Sequence, residues 1–276
     1  MAGEYVLPDE LPAGYVVGEH DLGPEDDVTY AVRDGVAHIT LNRPSAANAL
    51  DVGLSHALRL AAERAASDES AKSVLVSGSG ARFCGGGDVP AFAAAEDKPA
   101  FLHQLALDAD AAVRGLESLE KPVVAAVHGA VAGAGLAIML AADVIVAAQQ
   151  TKFVFAYPGI GLTPDCGVSY LLPRAIGQQR ALGFALANKP VTAATAHEWG
   201  MVTEVVHDAD VAVSRATQVA LDFAAGPASA LGQARRLLRA GWEIDRTAVG
   251  VEEARTISRA VAGAEAVRLI ERFVAR

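Results

Sequence analysis

Cysteine is scarce in this 276-residue chain: there are two, Cys84 and Cys166. So few exclude a disulfide-stapled scaffold, and they lie too far apart in sequence for a zinc ribbon. Aromatic residues are 5 %, so the 52 % hydrophobic share is mostly Ala, Val and Leu. Basic residues are in deficit, with 23 Lys+Arg against 33 Asp+Glu and a net charge of −10. No dense Lys/Arg tract exists, which excludes a phosphate-backbone binder, and no nucleic-acid partner is expected. Charged residues are only 20 %, too few for a disordered chain of this hydrophobicity. Pro122 to Ala142 carries no formal charge and is long enough to cross a bilayer. Pro122, His128, Gly129, Gly133 and Gly135 interrupt it, and much of the rest is alanine. A buried strand, a glycine turn and a buried helix are therefore predicted, with no membrane partner. The opening Met1-Ala2-Gly3-Glu4-Tyr5 lacks a basic region followed by an apolar stretch, so a cytoplasmic protein is expected.

Several catalytic signatures are also missing. There is no G-x-G-x-x-G, no phosphate-loop G-x-x-x-x-G-K-[ST], no G-x-S-x-G elbow and no H-E-x-x-H. The seven histidines are scattered singly, and no metal site is expected. His128, ending an apolar strand, reads as a hydrogen-bonded core residue.

What is present is alternation. Residues 1–28, with Pro8, Pro12, Pro24 and Glu25-Asp26-Asp27, show no period and read as an extended arm. Tyr30 to Leu41 is a hairpin turning at Asp34-Gly35. Asp51 opens a helix with Leu54, Leu58 and Ala61-Ala62 on one face. Val74 to Val76, Val123 to Val127 and Val144 to Ala148 are buried strands, with helices over Pro99 to Leu119 and Leu136 to Ala142 between them. This order predicts an α/β fold with parallel strands and crossover helices over 29–190. After Gly177 helical periodicity dominates, apart from Val202 to Val206, so 191–276 is expected to be a helical oligomerisation section.

Two glycine-rich turns each follow a buried strand: Phe83-Cys84-Gly85-Gly86-Gly87-Asp88 and Gly129 to Gly135. Glycines there let backbone approach a ligand and aim N–H groups at it, which suits an anion or a developing oxyanion. Tight packing without a ligand is the alternative.

The motif order is more specific than either turn. N-R-P-x(3)-N-A-L at Asn42 to Leu50, F-C-G-G-G-D at Phe83 to Asp88 and K-P-V-V-A-A-V-H-G at Lys121 to Gly129 resemble the crotonase (enoyl-CoA hydratase/isomerase) superfamily. So do Gly133-Ala134-Gly135, Gly161-Leu162-Thr163-Pro164-Asp165-Cys166-Gly167 and Leu172-Pro173-Arg174, over Tyr30 to about Val206. The resemblance implies a spiral of ββα units that binds an acyl-coenzyme A thioester, with CoA entering as part of the substrate and no separate cofactor. It implies that the amides of Gly87 and Ala134 hold the thioester oxygen. It places CoA along Ala46-Ala47-Asn48 and Gly85, Gly86 and Asp88, with Gly133 in the second turn and Arg43 a candidate phosphate partner. A homotrimer or dimer of trimers is expected.

The departures from the family carry information. Hydratases of the family use two glutamates to activate water; their positions here are Ala137 and Gly159. One acid remains, Asp165, at a position where double-bond-shifting relatives place an aspartate and aryl-CoA dehalogenases a nucleophile. A single carboxylate can take a proton from one carbon and return it to another. The structural alternative is that Asp165 caps the helix through Ser169 to Leu172. Phe92, Phe101, Tyr157 and Leu162 are candidates to line the acyl pocket or to pack the core. Asp88 is expected to brace its turn, and both cysteines to fill space. Arg268, Arg272 and Phe273 echo the family's basic and aromatic ending only loosely. The expectation is an acyl-CoA isomerase with Asp165 as base. The rivals are a hydratase or hydrolase recruiting water differently, and a catalytically silent CoA-ester-binding protein.

Overall fold

The computed structural model describes residues 22–275, so most of the arm expected over 1–28 lies outside the described residues. The hairpin forms as predicted: β1 (Val28–Arg33) and β2 (Val36–Leu41) pair antiparallel. Both turn residues, Asp34 and Gly35, have positive φ, at 50° and 80°, which matches the twist a two-residue hairpin needs. Helix α1 (Val52–Ser67) starts where Asp51 accepts a hydrogen bond from the Leu54 N–H at 2.9 Å. It buries Leu54, Leu58, Ala61, Ala62 and Ala65. Strand β3 (Ser73–Gly78) then pairs with β2 in parallel.

Beyond β3 the chain winds as a spiral. After the short α2 (Val89–Ala94) and the long α3 (Lys98–Glu117), β4 (Val123–Val127) enters the large sheet, β5 (Ala130–Ala132) the small one, and α4 (Ala134–Leu140) returns. The next lap is β6 (Val144–Ala148), β7 (Lys152–Val154), α5 (Val168–Ile176) and α6 (Gln178–Ala187). The last adds β8 (Val191–Thr192), α7 (Ala193–Glu198), β9 (Glu204–Val206) and α8 (Ala209–Ala225). The large sheet has the order β1-β2-β3-β4-β6-β9, the small one β5-β7-β8. Single bridges, Cys84 to Val131 and Leu50 to Gly87, extend the small sheet into the first glycine turn. Each lap thus delivers one strand end and one turn to the same neighbourhood.

Strand β4 is wholly buried, and an unbroken apolar run is how a strand covered on both faces reads. Val123, Ala125 and Val127 join the main core, while Val124 and Ala126 face a second layer. That layer is α8, whose Ala212, Ala216 and Ala220 recur every fourth residue and are all fully buried. Ser73 Oγ donates to the Ala220 carbonyl at 2.7 Å and ties the helix to β3. Helix α8, which lies past residue 190, thus packs on the large sheet, and α9 (Ala228–Ala240), α10 (Arg246–Ala260) and α11 (Ala264–Val274) follow it along the chain. The buried Arg235 anchors α9. Its guanidinium donates to the carbonyls of Leu116, Glu117 and Leu119, which end α3, to the Ala141 carbonyl after α4, and to Asp143 at 2.7 Å. Pro122–Ala142 is strand, turn and helix, and no helix among the described residues is long and apolar enough to cross a membrane.

Candidate active site

The first glycine turn is built around the fully buried Asn48, whose left-handed φ of 53° turns its side chain inward. Its amide nitrogen donates to the carbonyls of Ser79, Arg82 and Phe83, and its Oδ1 accepts from the Arg43 N–H. Backbone pairing then alternates. Gly85 N–H donates to Ala47, Leu50 N–H to Gly86, and Asp88 N–H to Leu50, at 2.9, 2.7 and 2.9 Å. Because Leu50 bonds to the residues on either side of Gly87, the Gly87 N–H points the other way. It has no acceptor among the described residues. Glycine is required at 86, where φ is 101° and a Cβ would lie 3.0 Å from the Ala132 carbonyl oxygen.

The second turn is closed by Gly133 N–H donating to Val154 at 3.1 Å. Helix α4 begins at Ala134, two residues earlier than expected, so the Ala134 N–H is the first of the helix and has no acceptor among the described residues. The turns abut: a Cβ on Gly133 would sit 3.5 Å from Gly86 Cα and 3.9 Å from Tyr157 Cζ.

Tyr157 carries the constellation to its third part. Its hydroxyl donates to Asp165 Oδ1 at 2.7 Å. Asp165 is half-buried on a turn whose next residues, Cys166 and Gly167, have φ of 50° and 77°. The helix-cap alternative fails. Gly167 is the N-cap of α5, no side chain caps it, and only the Asp165 backbone carbonyl accepts from Val168. Burial, then the charge of Asp165, hold the Tyr157 phenol far above its ordinary value, so it is a donor at any working pH.

Other expected residues have different employment. Arg43 is committed to carboxylates, with one nitrogen 3.0 Å from both Asp51 and Asp88 and another 2.6 Å from the Ala49 carbonyl. It and Asn48 brace the turn through these bonds. Asp88 braces too, accepting from the Ala91 N–H at 3.2 Å. Ala46 and Ala47 form a short turn beside it, and the half-buried Leu162 donates its N–H to the Tyr157 carbonyl. Phe92 stands over the first turn: a Cβ on Gly87 would meet its Cζ at 2.4 Å, and its ring centroid lies 6.4 Å from that of Phe101. Burial pushes the Cys84 thiol up to about 12 and, with Asp165, raises Cys166 further, so neither is a thiolate nucleophile near neutral pH. His128 is buried with Nε2 2.9 Å from the Gly80 carbonyl oxygen. No cluster among the described residues could hold a metal ion. Ala137, at one hydratase-glutamate position, is fully buried, and Gly159, at the other, is exposed.

The family model of enoyl-CoA hydratase/isomerase matches residues 31–273, nearly all that the structure describes. The chain belongs to the enoyl-CoA hydratase/isomerase family. Within it, the chain is 37 % identical over 203 residues to 1,2-epoxyphenylacetyl-CoA isomerase of Escherichia coli, covering 73 % of this chain and 77 % of that one. It is 36 % identical to 4-chlorobenzoyl coenzyme A dehalogenase-2 of an Arthrobacter species, covering 75 % and 76 %. Among solved structures, an enoyl-CoA hydratase from Polaromonas superposes with a TM-score of 0.85 at 28 % identity, covering 90 % of this chain and 96 % of that one. The crotonase fold expected from the motifs is the fold observed. The pairing of Tyr157 with Asp165 has no counterpart in the sequence reading, where Tyr157 figured as pocket lining or core packing. Nothing in the spacing of a tyrosine before Pro158-Gly159 marks it as a partner for an acid eight positions on.

Proposed function

We propose that the protein is an acyl-CoA isomerase that shifts a carbon–carbon double bond by proton transfer through Asp165. The observation that carries this reading is a carboxylate, held by Tyr157, on a turn linked through Tyr157 to the two unpartnered amides of Gly87 and Ala134. Those amides would receive the thioester carbonyl oxygen. Asp165 takes a proton from the carbon next to the double-bond system, and the electron pair moves into an enolate whose negative charge rests on that oxygen. The protonated Asp165 then returns the proton to another carbon, so the product has the composition of the substrate. Fixed donors aimed at developing charge are usually the largest catalytic contribution, and one positioned carboxylate adds about 10²–10⁴. Efficient hydration needs a second group to activate water, and Ala137 and Gly159 offer none. The exposed apolar residues of the last helices, among them Ile257, Ile270 and Phe273, support assembly into an oligomer.

The test is incubation with 2-enoyl, 3-enoyl and ring-bearing CoA thioesters in deuterated water, followed by mass and double-bond position. Isomerisation gives a shifted double bond, with deuterium on carbon and no added water. Accumulation of a 3-hydroxyacyl-CoA at an enzymatic rate, about 10 s⁻¹, overturns the reading in favour of a hydratase. Binding with neither exchange nor turnover overturns it in favour of a silent CoA-ester-binding protein.

A further inference from the structure

We infer that Tyr157 is the positioning residue of this site, its phenol fixing the carboxylate of Asp165 relative to the second amide turn; the inference rests on the reading of Asp165 as the base. Three independent features converge on that phenol. It donates to Asp165 Oδ1 at 2.7 Å, so one oxygen is held and the rotamer of the acid is set. Its ring is itself fixed. It packs edge-on against Phe155 at 5.2 Å, Phe155 against Phe184 at 6.2 Å, and Phe184 against Trp199 at 6.2 Å, so a row of aromatics ends at the acid. The backbone delivering it is strained: Ala156 has φ 69° and ψ −39°, which an alanine adopts only when its surroundings insist. The Ala156 N–H is held by Asn188 Oδ1 at 3.0 Å, and Asn188 is itself left-handed at the end of α6, with φ 46°. The strained residue thus sits immediately before the tyrosine, pinned from another helix.

The same ring also touches the other half of the site. Its Cζ lies 3.9 Å from where a Cβ of Gly133 would be, one residue before the Ala134 amide. A shift of the phenol would therefore change the distance from base to amide, and proton transfer is steeply sensitive to such distances. Tyr157 moves no proton in this scheme. The proton passes from substrate carbon to Asp165 and back, while the phenol bonds more strongly to the carboxylate than to the acid. The other ionisable groups facing Asp165 are the Cys166 thiol on its own turn, raised by burial and by Asp165, and Asp110 from α3. Asp110 Oδ1 lies 3.7 Å from the Cβ position of Gly167, and its Oδ2 pairs with Arg114 at 2.8 Å. The Cys166 thiol also bonds to Asp165, but from the same turn, so it is the phenol that ties the acid to another segment.

The experiment compares Tyr157→Phe, Asp165→Asn and the double variant, using exchange of the Cα proton of the acyl-CoA on which the parent is fastest. Tyr157→Phe keeps the ring and its packing. It should lower kcat about tenfold while KM changes less than about twofold, because the group acts on the base and not on substrate binding. The double variant should be no slower than Asp165→Asn alone, since the two residues act as one unit. Asn188→Gly, which releases the Ala156 N–H without touching the ring, should give a smaller loss of the same kind. If Asp165→Asn abolishes exchange but Tyr157→Phe leaves kcat unchanged, Tyr157 positions nothing and the inference is overturned alone. If Asp165→Asn retains full exchange, the base assignment falls first, and the role of Tyr157 falls with it.

Discussion

Side chains hold the Phe83–Asp88 turn, whereas backbone hydrogen bonds and packing hold the Gly129–Gly135 turn. Around the first, the Asn48 and Arg43 side chains form a polar scaffold of six hydrogen bonds with a cluster of three acids, Asp27, Asp51 and Asp88. Around the second, α4 has no side-chain cap, every residue of the helix is buried, and close backbone approach does the holding. Each arrangement leaves one amide unpartnered, at Gly87 and at Ala134. The difference predicts opposite vulnerabilities. The polar-held turn should break when atoms are removed, and the packed turn when atoms are added.

The largest effect is expected at Asn48. Asn48→Ala removes the partner of the buried Phe83 carbonyl and of the part-buried carbonyls of Ser79 and Arg82 and N–H of Arg43. An unsatisfied buried polar group costs about 1–3 kcal/mol, and with partial relaxation the total should be about 3 kcal/mol. At roughly 2–4 °C per kcal/mol for a chain of this size, Tm should fall by about 6–12 °C in calorimetry. A fall below about 2 °C would mean that the first turn is not held through Asn48, and the contrast between the turns would fail.

At the second turn the corresponding change is an addition, Gly135→Ala. The new Cβ would lie 2.8 Å from Cys84 Cβ and 2.9 Å from the Cys84 carbonyl oxygen. Both are parts of the first turn that cannot swing aside, so overpacking should cost about 1–3 kcal/mol. Cys84→Ala should not rescue it, because the obstructing atoms are the Cβ and the backbone. Rescue by that substitution would show that the thiol, and not the backbone, sets the spacing.

Much of this was legible in the residues, and the failures have a common cause. Glycine spacing marked both turns, the Asp34-Gly35 pair marked the hairpin, and the motif order marked the family, because each is a local pattern. Asn48 and Arg43 entered the sequence reading through the family resemblance as CoA contacts, and Tyr157 as pocket lining or core packing. Their hydrogen-bond partners within the chain, Phe83, Asp88 and Asp165, are set by how the spiral brings distant segments together, which no local pattern shows. Asp165 looked like a cap because the residues after it are helical, but a two-residue left-handed turn intervenes. Helix α8 was assigned to the tail because its periodicity is helical. That its alanine stripe fits the second face of the large sheet follows from strand order, which no local window contains.

The smallest effect is expected at Gly87, where the two modes of holding meet. A Cβ there would come within 2.4 Å of Phe92 Cζ and 3.1 Å of Cε2, a closer approach than at Gly135. The obstacle is different in kind, however: the far end of a half-buried ring on the short α2, not backbone. The ring can turn away, losing little besides its tilted contact with Phe101 at 6.4 Å, and an aromatic pair contributes about 0.5–1.5 kcal/mol. Gly87→Ala should therefore cost less than about 1 kcal/mol. Adding Phe92→Leu should remove the conflict, so the two changes together should be less destabilising than their sum. Alanine retains the N–H at 87, so Cα-proton exchange in the double variant should stay within a fewfold of Phe92→Leu alone. Strict additivity of the two changes in calorimetry would place Phe92 away from Gly87. It would also leave the closeness of the first turn to α2 without consequence for either stability or exchange.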